Sequence, residues 1–145
     1  TNVARFLGME VHEVEVSGAV SFEDYPYAVA RFDVGIVPLA DSAFNEAKSG
    51  LKGLEMAALG VPFVASPTPE YRRLEALGIG RTTKNRGRHW CSAIKEMYGE
   101  AGKEAAAQAR EVVRERFTYD GEGWRWAEAW EQAIANRKAG LAVCP

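Results

Sequence analysis

The residues able to do chemistry are concentrated between Phe44 and Ser66, in the run FNEAKSGLKGLEMAALGVPFVAS. Asn45, Lys48, Ser49, Lys52 and Glu55 stand at the start and along one face of an expected helix. On a helical wheel of ~100° per residue, Lys48, Lys52 and Glu55 fall within about 60° of one another. Leu51, Leu54 and Ala58 form the adjacent stripe, which is the expected packing face. A helix that opens with Lys-Ser-Gly just after a strand offers backbone N–H groups to an anion, and phosphate is the common occupant. Ser49 adds a hydroxyl and Gly50 close backbone access, while the Glu55 carboxylate can accept from sugar hydroxyls. The same residues admit a plainer role. Lys52 and Glu55 suit an i,i+3 surface ion pair of about a few tenths of a kcal/mol, and Asn45 suits a helix cap. Spacing alone leaves both readings open.

The elements around this run alternate between strand and helix. Val11 to Val16 alternates apolar and polar residues and predicts a strand, followed by a turn at Ser17-Gly18. Ser21 is placed to cap a helix over Phe22 to Arg31, with Glu23 and Asp24 in its first turn. Asp33 to Pro38 reads as a strand buried on both faces. A loop at Asp41-Ser42-Ala43 leads into the central helix, expected from about Glu46 to Leu59. Gly60 is its left-handed cap and Pro62 follows. Pro62 to Ser66 is a second buried strand, and Glu70 to Leu77 a further helix. The connection from Gly78 to Thr83 has room for a third short strand. Helices are then expected over Trp90 to Tyr98, Gly99 to Phe117 and Gly121 to Lys138, with a break at Thr118 to Gly121.

This pattern predicts an α/β fold: a Rossmann-like, three-layer domain with a small parallel sheet and a helical C-terminal third. Ligands of such sheets bind beyond the carboxyl ends of the strands. The loops after Pro38 and Ser66 and the start of the central helix all belong to that edge.

A chain of 145 residues fits one domain and can bury a core without disulfides or metals. Its composition, 47% hydrophobic and 26% charged, argues against disorder. A net charge of −2 argues against a dedicated nucleic-acid binder. Cys91 and Cys144 are far apart and show no metal-ligand spacing, so two reduced thiols are expected. No apolar run approaches the ~18 residues of a membrane span, and the N-terminus lacks a signal-peptide pattern. A cytoplasmic protein without a membrane role is the expectation.

The stretch from Phe32 to Ser66 resembles the donor-binding half of GT-B fold glycosyltransferases, in particular the large retaining family 4. Two motifs carry the resemblance. Phe32-Asp33-Val34-Gly35-Ile36-Val37-Pro38-Leu39 is similar to the family's strand ending in proline. Glu55-Met56-Ala57-Ala58-Leu59-Gly60-Val61-Pro62-Phe63-Val64-Ala65 is similar to its helix-and-strand motif E-x-M-A-x-G-x-P-V-V-A. Supporting matches lie at Val16 to Val20, in the Phe22–Ala30 helix and in the helix from Arg110 to Phe117, so the likeness covers roughly residues 11–130.

The resemblance implies transfer of a sugar from a nucleotide diphosphate-sugar to an acceptor. Glu55 matches the glutamate that bonds the ribose hydroxyls. Ser49, Gly50 and Leu51 match the backbone that meets the diphosphate. Gly18, Ala19 and Val20 match the loop against which the base lies. Lys48, with the helix start, is assigned to the departing diphosphate, with Asn45 and Lys52 beside it. No metal or other cofactor is implied, because the helix terminus and cations neutralise the leaving group.

Two departures narrow the expectation. Seven residues before Glu55 would separate it from a second glutamate, and that place holds Ala47, with Glu46 one residue off. An N-terminal acceptor domain and the first strand–helix units of the donor domain are not visible in this chain. Residues 1–10 suit the tail of one such helix. The chain therefore reads as a fragment of such an enzyme or as a reduced relative. The alternative is a non-catalytic glycosyltransferase-like binding or assembly module. A kinase-like phosphate site is disfavoured, since no Gly-x-x-x-x-Gly-Lys pattern exists.

Other residues carry less. His12 and His89 are isolated and suit surface, core or capping positions. Trp90, Trp126 and Trp130, with Ile94 and Ile134, have helical spacing and are expected to pack in the core, whereas Trp124 reads as exposed. The segment from Arg72 to Lys95 holds seven cations, Arg72, Arg73, Arg81, Lys84, Arg86, Arg88 and Lys95, opposed only by Glu75. It reads as a solvated surface or as an attractor of a polyanion, a donor diphosphate included. Only Tyr71 and Trp90 interleave it, so sequence-specific nucleic-acid binding is not expected.

Overall fold

A computed structural model describes residues 18–140. The expected strand at Val11–Val16, His12, Cys144 and the helix tail at residues 1–10 lie outside the described residues. A short helix α1 (Tyr25–Val29) precedes strand β1 (Gly35–Val37). Helices α2 (Ala43–Glu46) and α3 (Leu51–Ala58) lead to β2 (Phe63–Ala65), then α4 (Pro69–Ala76) and β3 (Arg81–Thr82). Three longer helices close the chain: α5 (Gly87–Met97), α6 (Glu100–Arg116) and α7 (Tyr119–Lys138). The fold is mixed α/β with a small parallel sheet in the order β1-β2-β3.

Gly35-Ile36-Val37 and Phe63-Val64-Ala65 carry no polar side chain, as parallel strands covered on both faces require. Ile36 lies opposite Val64, and Val64 opposite Arg81. Alternation along β2 divides the core. Phe63 and Ala65 join Met56 and Ala57 of α3, Tyr71 and Leu74 of α4, and Ala109 and Val113 of α6. Val64 turns the other way, to Trp90 and Ala93 of α5, with Ile36 packed alongside. Each large apolar side chain so enclosed contributes about 1.5–3 kcal/mol. The sheet is thus covered by helices on both faces, and its carboxyl edge remains open to loops.

α3 ends as the sequence predicts. Gly60 takes a φ of +72°, Gly60 N–H donates to the Ala57 carbonyl and Val61 N–H to that of Met56. This paired closure uses the left-handed conformation that glycine adopts without a Cβ clash. It turns the chain directly into β2.

The helices depart from expectation in three places. The single helix expected from Glu46 to Leu59 is two, interrupted from Ala47 to Gly50. Gly50 is buried there, with Leu74 and Glu70 of α4 filling the space a side chain would need. The buried face of α3 is Gly53, Met56 and Ala57; of the expected stripe only Leu54 packs against the core, while Leu51, 55% exposed, and Ala58 face outward. Small residues win that face because they let α3 lie close on Phe63 and α6. The helix expected over Phe22 to Arg31 is confined to Tyr25–Val29, and the Ser21 hydroxyl serves the turn before it, accepting from Asp24 N–H at 3.1 Å.

The tryptophans divide. Trp90 is buried at the centre of the α5 side, as expected. Trp126 and Trp130 are each 70% exposed, and Ile134 is exposed with them. Helical periodicity marks a stripe but does not say what covers it. α7 packs on α6 through its first turns, and the rest of its surface faces outward. Among the described residues, no helix is long and apolar enough to cross a membrane.

Candidate functional site

Breaking the central helix gives it a new N-terminus at the carboxyl edge of the sheet. Gly50 is the N-cap of α3 and has no side chain to offer it. The Leu51 and Lys52 amides in the first turn therefore have no intrahelical or capping acceptor among the described residues. Ser49 lies exposed just ahead of them. Ser49, Gly50 and Leu51 thus gather at one helix start.

Lys48 falls in the break, not on α3, so the expected three-residue face reduces to Lys52 and Glu55. Its ammonium lies 4.8 Å from the centre of the Phe44 ring and is exposed. Asn45 does not cap a helix with its side chain. Ser42 caps α2, accepting from Asn45 N–H at 3.3 Å. The Asn45 amide donates to the Ala40 carbonyl at 2.8 Å and so ties the loop after β1 to α2.

Glu55 stands one turn along α3 and is held by two donors. The Tyr25 hydroxyl donates to its Oε2 at 2.8 Å, and Lys52 Nζ approaches the same oxygen at 3.1 Å. Lys52 also donates to the Tyr25 oxygen at 2.9 Å and sits over the Tyr25 ring. Its pKa is raised, first by the hydrogen bond to Tyr25 and then by that to Glu55. The i,i+3 ion pair considered from the sequence is therefore present, with a third member. Tyr25 was not among the expected site residues. It lies inside the helix that the sequence places next to the base-binding loop, but thirty positions separate it from Glu55. Gly18 and Val20 lie in the exposed stretch ahead of α1.

A second network secures the loops at the carboxyl edge. Ser66, at the end of β2 and 1% exposed, accepts from Leu39 N–H at 2.8 Å and donates to Asn85 Oδ1 at 2.7 Å. Asn85 Nδ2 donates to the Leu39 carbonyl and to Asp41 Oδ1, each at 2.9 Å. One amide therefore joins the loops that follow all three strands. Neither Ser66 nor Asn85 was singled out in the sequence, although Ser66 closes the strand motif and Asn85 lies among the cations of the basic segment. β3 is fixed by Glu75, which accepts from Thr82 N–H at 3.0 Å and from the Thr82 hydroxyl.

Among the described residues, no group of three or more His, Cys, Asp or Glu side chains is arranged to hold a metal ion. Cys91 is a free, exposed thiol. The site offers hydrogen-bond donors, cations and one oriented carboxylate, which suits binding of a phosphorylated ligand. No protein-family model, no curated protein and no solved structure matches the chain.

Proposed function

We propose that this chain is the donor-binding domain, Rossmann-like and half of a GT-B fold, of a glycosyltransferase that moves a sugar from a nucleotide diphosphate-sugar to an acceptor. The observation that carries the reading is the uncapped start of α3 at the carboxyl edge of a parallel sheet, with Glu55 one turn beyond it. The backbone of Ser49, Gly50 and Leu51 meets the diphosphate, where helix-end partial charge favours an anion. Lys48 and Lys52 add positive charge as the diphosphate departs, which lowers the barrier without a metal. Glu55, held by Tyr25, accepts from the ribose hydroxyls. Gly18 and Val20 lie along the base, and Asn45 keeps the neighbouring loop in place. The acceptor domain completes the cleft from the same or another chain, in the cytoplasm.

Calorimetric titration with UDP, GDP and ADP tests this reading. Binding of one of them, weakened by Glu55→Ala, is expected.

One observation favours the second reading, a non-catalytic module with this fold. The Glu55 carboxylate already receives a tyrosine hydroxyl and an ammonium, and Ala47 stands where a second carboxylate is expected. A chain that binds none of the three nucleotides supports this alternative.

A further inference from the structure

A second opening lies along the carboxyl edge, beside the Ser66–Asn85 network. It has a volume of about 480 Å³ and is lined by Asp41 and Glu46 together with Arg72, Lys84 and Arg86, around Asn85. Small-molecule sites fall in the range of roughly 300–1,000 Å³. Loops after each of the three strands contribute to it, so its walls share the support that Asn85 gives those loops.

Its charges are set apart rather than spent on one another. Arg73 pairs with Glu70 at 2.7 Å, and Arg81 pairs with Glu75 and Glu96. Arg72, Lys84 and Arg86 enter no salt bridge and no side-chain hydrogen bond among the described residues, although two carboxylates line the same opening. Three cations against two carboxylates leave one net positive charge. A bare polyanion meets two repelling carboxylates there, and a neutral sugar leaves three cations unused. A ligand with one phosphate and several hydroxyls satisfies both sets, its phosphate oxygens accepting from the cations and its hydroxyls donating to Glu46 and Asp41.

We propose that this cleft binds a phosphate ester that carries free hydroxyls. Two sources share that chemistry: the sugar-phosphate end of a nucleotide-sugar, and a separate sugar phosphate. Only the first rests on the donor-site reading above.

The test is an amide NMR titration of the whole chain with glucose 6-phosphate, UDP, UDP-glucose and inorganic phosphate. Glucose 6-phosphate is expected to shift Glu46, Lys84, Asn85 and Arg86 saturably. Arg72→Ala combined with Arg86→Ala should weaken it about ten-fold or more, the loss expected when charge-assisted hydrogen bonds to an anion are removed. Both positions are exposed, so the fold tolerates the change. Glu46→Gln should weaken glucose 6-phosphate but not inorganic phosphate.

If the donor is the source, UDP-glucose shifts the cleft amides together with those of Ser49 to Lys52, and UDP shifts only the latter. If a separate sugar phosphate is the source, UDP-glucose leaves the cleft amides unmoved while glucose 6-phosphate moves them. Shifts in the cleft with none at α3 from UDP sink the donor-site reading and leave this proposal standing. Cleft amides that respond to neither sugar-bearing ligand up to about 10 mM, or a double variant that binds like the parent, overturn it.

Discussion

The Tyr25 hydroxyl donates to Glu55 Oε2 at 2.8 Å, joining α1 to the middle of α3. The carboxylate that the account assigns to ribose is thus aimed from outside its own helix. A hydrogen bond to a charged partner at a half-buried site stabilises by about 1.5–3 kcal/mol at most, and exposure of Lys52 beside it reduces the sum. Positioning is therefore its larger consequence.

Tyr25→Phe keeps the ring under Lys52 but removes the donor. The expected outcome is a several-fold loss of nucleotide affinity with a small change in melting temperature, checked by calorimetry and thermal unfolding on the same samples. A large loss of stability with unchanged affinity would reassign Tyr25 to folding.

Ser66→Ala leaves the Leu39 N–H and Asn85 Oδ1 without their buried partner. The cost is expected at about 1–3 kcal/mol, read as a lower urea midpoint at unchanged m-value. An unchanged midpoint would mean that the three post-strand loops are held by other contacts.

Gly53→Ala sets two effects against each other. Alanine favours a helix interior by about 1 kcal/mol over glycine. A Cβ at Gly53 would lie 2.7 Å from Phe63 Cζ and 2.9 Å from Tyr71 Cε1. Overpacking of that kind costs about 1–3 kcal/mol, and neither aromatic side chain has open space to move into. Net destabilisation is expected in chemical denaturation. A more stable variant would show that α3 can shift off the sheet.

Glu70, in the first turn of α4, has its pKa lowered chiefly by its hydrogen bond to Arg73. A lowered carboxyl pKa contributes stability above the unfolded value of about 4.3 and loses it as pH falls through the folded value. The melting-temperature difference between the parent chain and Glu70→Gln should be present at neutral pH and vanish in acid, below the folded pKa. A difference constant across that window would rule out this ion pair as its origin.

Much of the sheet was legible because its residues have one environment. Phe63-Val64-Ala65 is apolar throughout, so any fold that uses it as a strand must bury both faces. Gly60 followed by Pro62 similarly permits few endings for α3. The break at Ala47 to Gly50 was not legible, because Ala47, Lys48 and Ser49 are acceptable in a helix. The break ends at Gly50, where Leu74 and Glu70 occupy the space a side chain would need, a closeness between residues distant in the chain. The same limit hid Tyr25 from Glu55 and Ser66 from Asn85. Side-chain spacing placed Trp126, Trp130 and Ile134 in the core, whereas they are exposed, because spacing along one helix does not say which other element covers it.

The most direct test of the donor-site account is calorimetric titration of the parent chain and Glu55→Ala with UDP, GDP and ADP. The account predicts saturable binding of one nucleotide at or below millimolar concentration, weakened about ten-fold in the variant by loss of the ribose contact. No binding at millimolar nucleotide, or binding that Glu55→Ala leaves unchanged, would contradict it.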